Sequence, residues 1–104
     1  MIKIHDGSIN VYADLGRVHS DEMLVKAQLA TKIAELMKRR RLTQVQAADL
    51  FGMPQPKVST MLRGQFHGIS EEKMMRCLLA LGQNVQIIVK PARKGLSGSL
   101  SVAA

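Results

Sequence analysis

The residues best suited to chemistry lie between positions 43 and 64, and their chemistry is hydrogen bonding and charge rather than bond making. The polar and basic ones are Gln44, Gln55, Lys57, Ser59, Thr60 and Arg63. Amides and hydroxyls can pair with the edges of bases in a major groove, and Lys and Arg can reach phosphates or guanine. These residue types therefore favour a surface that reads a duplex polyanion.

No other group of residues predicts catalysis or metal binding. His5, His19 and His67 are far apart and share no metal-ligand spacing with Cys77. A catalytic Cys77–His pair is the alternative, but a free cysteine in a helix packs as a small apolar residue, and we expect it to be buried. The acidic residues form no paired arrangement, and no glycine-rich phosphate loop is present. We expect no enzyme activity, no cofactor and no metal.

Composition agrees with a compact domain and a polyanionic partner. The 104 residues are 46% hydrophobic and 22% charged, which is typical of one globular domain. Fifteen Lys and Arg against eight Asp and Glu give a net charge of +7, which favours a polyanion. A basic surface that is merely solvated is the alternative. Three aromatic residues are too few for a single-strand stacking platform, so duplex DNA is the better partner.

The same composition bears on the compartment. No apolar run reaches the roughly 18–20 residues of a membrane span, and the first residues lack a secretory pattern. A single cysteine cannot form an intramolecular disulfide. We therefore expect a cytoplasmic protein that does not enter a membrane.

Two short helices joined by a tight turn must hold the polar residues in place. Thr43 begins the first helix in a Thr-x-x-Gln capping pattern. Ala48 is small enough for a close helix contact, and Gly52 can adopt the positive φ of the turn. Val58 and Met61 anchor the second helix, over about 55–62, so that its other face is free. The apolar surface beneath consists of Ala47, Phe51 and Met53. A plain helical hairpin in a core is the alternative.

Three further elements are expected around this unit. Ser20 is a good N-cap for a helix that ends in the basic run 38–41, and Ser70 caps a helix over 71–81. The β-branched run 85–89 predicts one strand. The domain limits that follow are an arm over 1–20 without a stable helix, a core domain over 21–91 and a flexible tail over 92–104.

A lone strand leaves unpaired backbone groups along its edges. Three partners are open at this point: the region around Ile9, which favours a strand or an ordered arm, another copy of the chain, or a different protein.

The segment 42–64 resembles the Xre/lambda-repressor-like helix-turn-helix family. The matching residues are Leu42-Thr43-Gln44, Ala47-Ala48, Leu50, Gly52-Met53, Gln55-Pro56-Lys57-Val58-Ser59 and Gly64. A smaller subgroup, often encoded beside a RelE/HigB-type toxin as its antitoxin, is similar in further stretches. These are Val11–Gly16, Lys26–Ala30, Gln55–Ser59 and Leu81–Val85.

The resemblance implies a mainly α, lambda-repressor-like bundle of about four to five helices, here with one C-terminal β-strand. It also implies a homodimer on an inverted-repeat operator in double-stranded DNA. The implied DNA contacts are Thr43, Gln44, Gln55, Pro56, Lys57, Ser59, Thr60 and Arg63. Pro56 departs from the polar residue often found there, and it permits only apolar contact, for example with a thymine methyl.

Two functions of different classes follow as hypotheses. The first is a dimeric transcriptional repressor that inserts the helix over 55–62 into the major groove. The second is an antitoxin that binds a toxin protein directly through the Ile9–Leu15 arm or the Val85–Val89 strand, and uses DNA binding to regulate its own operon.

Overall fold

The computed structural model describes residues 11–103, with side chains described from Ser20 onward. Its helices are α1 Val11–Arg39, α2 Gln44–Phe51, α3 Gln55–Leu62 and α4 Glu71–Ala80. α1 packs against α3 and α4, and α2 also packs against α3 and α4. The mainly α fold of about four to five helices expected from the sequence is confirmed, with four helices among residues 11–103. None of the helices in the described range is long and apolar enough to cross a membrane.

α1 starts earlier than the sequence indicated. The expected start at Ser20 is wrong, because the helix begins at Val11 and Ser20 lies inside it. No proline interrupts this stretch, and Gly16 inside a helix costs only about 1 kcal/mol relative to alanine. Residues 9 and 10 lie outside the described residues, whereas Val11 to Leu15, assigned to an arm, are helical.

The core is formed by the apolar stripes that the sequence predicts. The buried stripe of α1 includes Val25, Leu29, Ile33 and Leu36, and that of α4 includes Met74 and Leu78, followed by Leu81. The α4 cap is also confirmed, since the Lys73 backbone N–H donates to the Ser70 hydroxyl at 3.1 Å. These two helices form the support on which α2 and α3 lie.

The chain after α4 differs from expectation. No strand is present among residues 11–103, so the strand expected over 85–89 is not confirmed. A strand is defined by a ladder with a second strand, and no described segment forms one with it. Beyond Pro91 the chain returns to α1, where the Leu100 backbone N–H donates to the Asp21 carboxylate at 3.1 Å. Val102 packs against the core in the same region.

Candidate nucleic-acid interface

The N-terminus of α2 is fixed by a reciprocal cap, as its sequence pattern predicts. The Gln46 backbone N–H donates to the Thr43 hydroxyl at 3.1 Å, and the Thr43 backbone N–H donates to the Gln46 side-chain oxygen at 2.9 Å. Such a cap contributes about 1 kcal/mol and satisfies two otherwise unpaired donors. It also sets the direction in which the remaining N–H groups at the start of α2 point.

The turn between α2 and α3 depends on Gly52. Its backbone is left-handed, with φ 64° and ψ 37°, and its N–H faces the carbonyls of Ala48 and Asp49. The Met53 N–H closes the turn on the Ala48 carbonyl at 3.0 Å. Ala48 is itself buried. Both assignments made from the sequence, the small contact residue and the turn glycine, are confirmed.

α3 turns one face to the core and the other to solvent. Val58 and Met61 are fully buried, which confirms their predicted anchoring role. Pro56 lies in the first turn, where its missing N–H breaks no hydrogen bond. The exposed residues of this helix and its C-cap are Gln55, Pro56, Lys57 and Arg63, with Ser59 and Thr60 partly exposed. We call this outer surface the α3 face.

Two of the predicted contact residues are joined to each other. The Gln55 side-chain N–H donates to the side-chain oxygen of Gln44 at 3.0 Å, across a separation of 11 residues. Sequence analysis treated the two as separate contacts, because only the turn at Gly52 brings the two helix starts together. The bond fixes which end of each amide remains available.

Other members of the α3 face also have partners within the chain. The Lys57 ammonium donates to the Gly68 carbonyl at 3.0 Å and so connects α3 to the loop before α4. The Arg63 guanidinium donates to the Ser59 hydroxyl at 2.9 Å, and the Thr60 hydroxyl donates to the Lys57 carbonyl at 3.0 Å. Lys57 keeps two donors, Ser59 keeps its hydroxyl hydrogen, and Arg63 keeps most of its guanidinium donors.

A basic run lies directly before α2. Its members, Lys38, Arg39, Arg40 and Arg41, are all exposed. Arg41 adopts a left-handed backbone with φ 54°, an uncommon conformation for a residue other than glycine. The Leu42 N–H then donates to the Met37 carbonyl at 2.9 Å, which ends α1 and leads the chain into α2.

The positive charge of this surface is not neutralised by described carboxylates. Within residues 20–103 the ion pairs are Lys26–Glu71, Lys32–Glu35 and Arg76–Glu72. None of them involves the basic run or the α3 face. The charge of the basic run and that of the α3 face therefore remain available to an external anion.

Lys73 supports the interface, and sequence analysis missed it. Its ammonium donates to the Phe51 carbonyl at 2.9 Å, 22 residues away. A cation at the last carbonyls of a helix stabilises that end, so α4 holds the C-terminus of α2. No local pattern in the sequence pairs these two residues.

Cys77 belongs to the core beneath the turn. It is buried, with its sulfur 3.7 Å from that of Met53. Burial raises the pKa of the Cys77 thiol, and the nearby Lys73 charge offsets part of that rise. Such a thiol is a packing group rather than a nucleophile. Across the described part of the chain, no three His, Cys, Asp or Glu side chains are placed to hold a metal ion.

Comparison with known proteins agrees with this geometry. The family named Helix-turn-helix domain matches residues 11–90. A solved structure of a protein assigned as an XRE family transcriptional regulator is similar, at 33% identity and a TM-score of 0.73. The match covers 83% of this chain and 98% of that one. No curated protein matches the chain.

Two short helices at a tight turn, with one outer face free and positively charged surroundings, define a helix-turn-helix DNA-binding protein. The chain belongs to the Helix-turn-helix domain family, and it is a DNA-binding transcriptional regulator of the Xre-like type. That family consists of DNA-binding regulators and not of enzymes. The resemblance seen in residues 42–64 is confirmed at this level.

Proposed function

We propose that this regulator binds an inverted-repeat operator as a dimer, placing α3 of each copy in a major groove, and represses transcription there. The observation that supports this best is the hydrogen bond between Gln44 and Gln55 on the exposed side of the unit. It holds an amide at the head of α3 in one orientation. A side chain held in this way can select one base pair.

The chemistry left on Gln55 matches adenine. After one amide N–H is used by Gln44, Gln55 keeps its oxygen and one N–H. A glutamine reads adenine by accepting from N6–H and donating to N7, which uses those two groups. Gln44 keeps both amide N–H groups and lies at the N-terminus of α2, where a phosphate is favoured. One residue thus positions the protein on the backbone and the other reads a base.

The rest of the α3 face completes the proposed contact set. Pro56 offers an apolar surface for a thymine methyl, and the hydroxyls of Ser59 and Thr60 face the groove. Lys57 and Arg63 reach phosphates with the donors that their internal bonds leave free. Thr43, whose hydroxyl caps α2, lies beside Gln44 and accompanies it at the same phosphate.

The basic run 38–41 supplies sequence-independent affinity. Each phosphate that these residues neutralise releases condensed counterions, and each contributes about −0.9 to the slope of log affinity against log salt. Two half-sites read by a dimer lie about one helical turn, ~34 Å, apart. We therefore expect strong binding at low salt and a steep decline as salt rises.

The direct experiment is a titration of the protein on DNA from upstream of its own gene, by gel shift and by fluorescence anisotropy. A shift that is selective for sequence and sensitive to salt is expected. Its absence on that DNA and on a randomised library of sites would contradict the proposal.

Gln55→Ala tests the readout. We expect roughly 10- to 100-fold weaker binding to the selected site and little change on unrelated DNA, since a bidentate pair gives about 1–3 kcal/mol of discrimination. Gln28→Ala, an exposed glutamine of α1 outside the unit, is the matched control. Gln44→Ala should lose part of the same discrimination, and the double variant should lose less than the sum of the two. Additive losses would mean that the two amides act independently.

Lys57→Ala tests the backbone contacts. It should weaken binding to all sequences alike and reduce the magnitude of the salt slope by about 1. Because Lys57 also holds the Gly68 carbonyl, the loss should be accompanied by a lower melting temperature. A change of base preference in this variant would overturn the assignment of Lys57 to phosphate.

A second candidate function is toxin neutralisation. It rests on the subgroup resemblance and on residues 85–89, which are not helical and are exposed from Gln86 to Val89. Of the two elements considered for toxin binding, Val11 to Leu15 belong to α1 and offer no strand edge, so 85–89 is the candidate. Co-expression with the product of the adjacent gene tests this. A small RNase-like protein that co-purifies and is inhibited would support it, and a neighbour of another kind would remove it.

A further inference from the structure

Among residues 20–103, the longest run of consecutive exposed hydrophobic residues follows α4. Ile87, Ile88 and Val89 are consecutive and are 75%, 63% and 91% exposed. Single exposed aliphatic residues are common, but a contiguous group on a charged protein indicates an interaction site. We call residues 85–90 the unpaired segment.

The backbone of the unpaired segment has no partner in the described part of the chain. It contains neither helix nor strand, and none of its amides or carbonyls bonds to a described residue. Four of the five residues from Val85 to Val89 are β-branched, the type that prefers a paired strand. The residue types therefore favour a paired strand, but no described segment pairs with this one. A strand from elsewhere would supply that pairing.

The two ends of the segment limit how such a strand can pair. Val85 packs against the core, so the alternation of a strand continues that face through Ile87 and Val89. Pro91 has no N–H to donate, so the ladder ends before it. The pairing stretch is therefore 85–89, and its midpoint is Ile87.

We propose that this stretch pairs antiparallel with the same stretch of a second copy of the chain, about a two-fold axis at Ile87. Ile87 then faces the partner's Ile87, and Val89 faces the partner's Val85. The exposed Val89 would then join an apolar face that continues from the partner's core. The inference rests on the proposed function, since it supplies the two-fold symmetry that an inverted-repeat operator requires.

Charge favours the antiparallel direction, and symmetry favours a second copy as the partner. In the antiparallel register Lys90 lies opposite the partner's Asn84, whereas a parallel pair would place Lys90 beside the partner's Lys90. Like charges directly opposite each other destabilise a strand pair. A symmetric pair also satisfies one strand edge on each copy at once, because the same surface serves on each copy.

The register can be tested with one engineered cysteine at a time. Cys77 is buried, so an added cysteine on the segment is the exposed thiol. Opposed residues in an antiparallel pair have Cα atoms about 4.5–5.5 Å apart, within disulfide reach. Ile87→Cys should therefore form a covalent dimer under mild oxidation. Val89→Cys is the matched control, since two such residues would be about 13 Å apart along the ladder.

The outcomes separate the possibilities. Fast cross-linking of Ile87→Cys with at least roughly tenfold slower cross-linking of Val89→Cys supports the register. Equal rates would indicate random collision of mobile segments and would overturn it. No cross-link in either variant, with a monomeric mass by light scattering, would also overturn it. A segment occupied by residues 1–10 or reserved for a toxin strand would give this last result.

A second pair of variants connects the segment to DNA. Ile87→Lys should raise the dimer Kd by roughly tenfold or more, as loss of a central apolar contact does, while Leu96→Lys, also exposed, should leave it unchanged. On a duplex with one operator arm, Ile87→Lys should bind like the unmodified chain, and on the full operator it should bind more weakly. Cross-linking without selective DNA binding would refute the proposed function and retain the proposed strand pair. Selective DNA binding by a chain that never dimerises through Ile87 would refute the strand pair alone.

Discussion

The α2–α3 unit, residues 43–64, and the unpaired segment, residues 85–90, are two short regions whose apolar residues have opposite surroundings. In the first, most apolar side chains are buried, although Val45 and Leu50 are exposed, and several polar side chains bond to one another or to nearby backbone. In the second, the apolar side chains are exposed and the backbone has no partner among residues 11–103. The first region is complete within one chain, whereas the second would be completed by the proposed strand pair.

The contrast shows how one residue type can serve two purposes. Val58 and Val89 are both valines, yet the first is fully buried and the second is 91% exposed. Burial of Val58 stabilises the fold that presents the α3 face. Because Val89 remains in contact with water in the single chain, association can still bury its apolar surface.

The largest expected effect is the loss of folding stability on truncating Val58, and truncation of Val89 is the comparison. Val58→Ala should lower the free energy of unfolding by about 2–3 kcal/mol, from lost transfer energy and the cavity left behind. Val89→Ala should change it by less than about 0.5 kcal/mol in dilute solution. Urea denaturation followed by circular dichroism measures both.

The stability losses of the two valine variants should also differ in how they depend on protein concentration. The loss from Val58→Ala should not depend on concentration. The loss from Val89→Ala should grow as the concentration rises and the unmodified chain dimerises. A concentration-independent loss from Val89→Ala larger than about 1 kcal/mol would mean that the segment is already packed within its own chain.

A smaller loss of stability is expected from replacing Gly52 by alanine, with Gly98 as the control position. Gly52→Ala should cost about 1–2 kcal/mol, because φ is +64° and alanine is strained there. An added Cβ would meet nothing within 4 Å at Gly52 or at Gly98, so steric contact is not the difference. Gly98 lacks the positive φ, and Gly98→Ala should remain within about 0.5 kcal/mol of the unmodified chain. Equal melting temperatures for the two variants would contradict the role given to the turn.

The smallest effect concerns the buried thiol. Burial raises the pKa of Cys77 above its ordinary value of 9.0. A raised pKa in the folded state gives stability that is complete below the unfolded pKa and is lost as pH rises through the folded pKa. Relative to Cys77→Ala, the unmodified chain should therefore lose stability as pH rises above the ordinary thiol pKa of roughly 8.5–9. Parallel pH profiles for the two proteins would show that thiol ionisation is not linked to folding.

Many local features could be predicted from the sequence because their causes lie within a few residues. The cap at Thr43 and Gln46, the turn at Gly52 and the cap at Ser70 depend on neighbours two to four positions away. Two local expectations failed where a local signal was weak. Gly16 costs a helix too little to stop it, so α1 extends to Val11, and a β-branched run is not a strand until a partner pairs with it.

By itself the sequence determined the helix-turn-helix, its buried anchors and the residue types of its outer face, since periodicity, caps and turn chemistry are local. Only the tertiary structure decided how those residues act together. It joined Gln55 to Gln44, Lys57 to Gly68 and Lys73 to Phe51, across 11, 11 and 22 residues. It also left the unpaired segment exposed beside the core. Contacts between distant positions depend on how the helices pack, and no pattern within a short window contains that information.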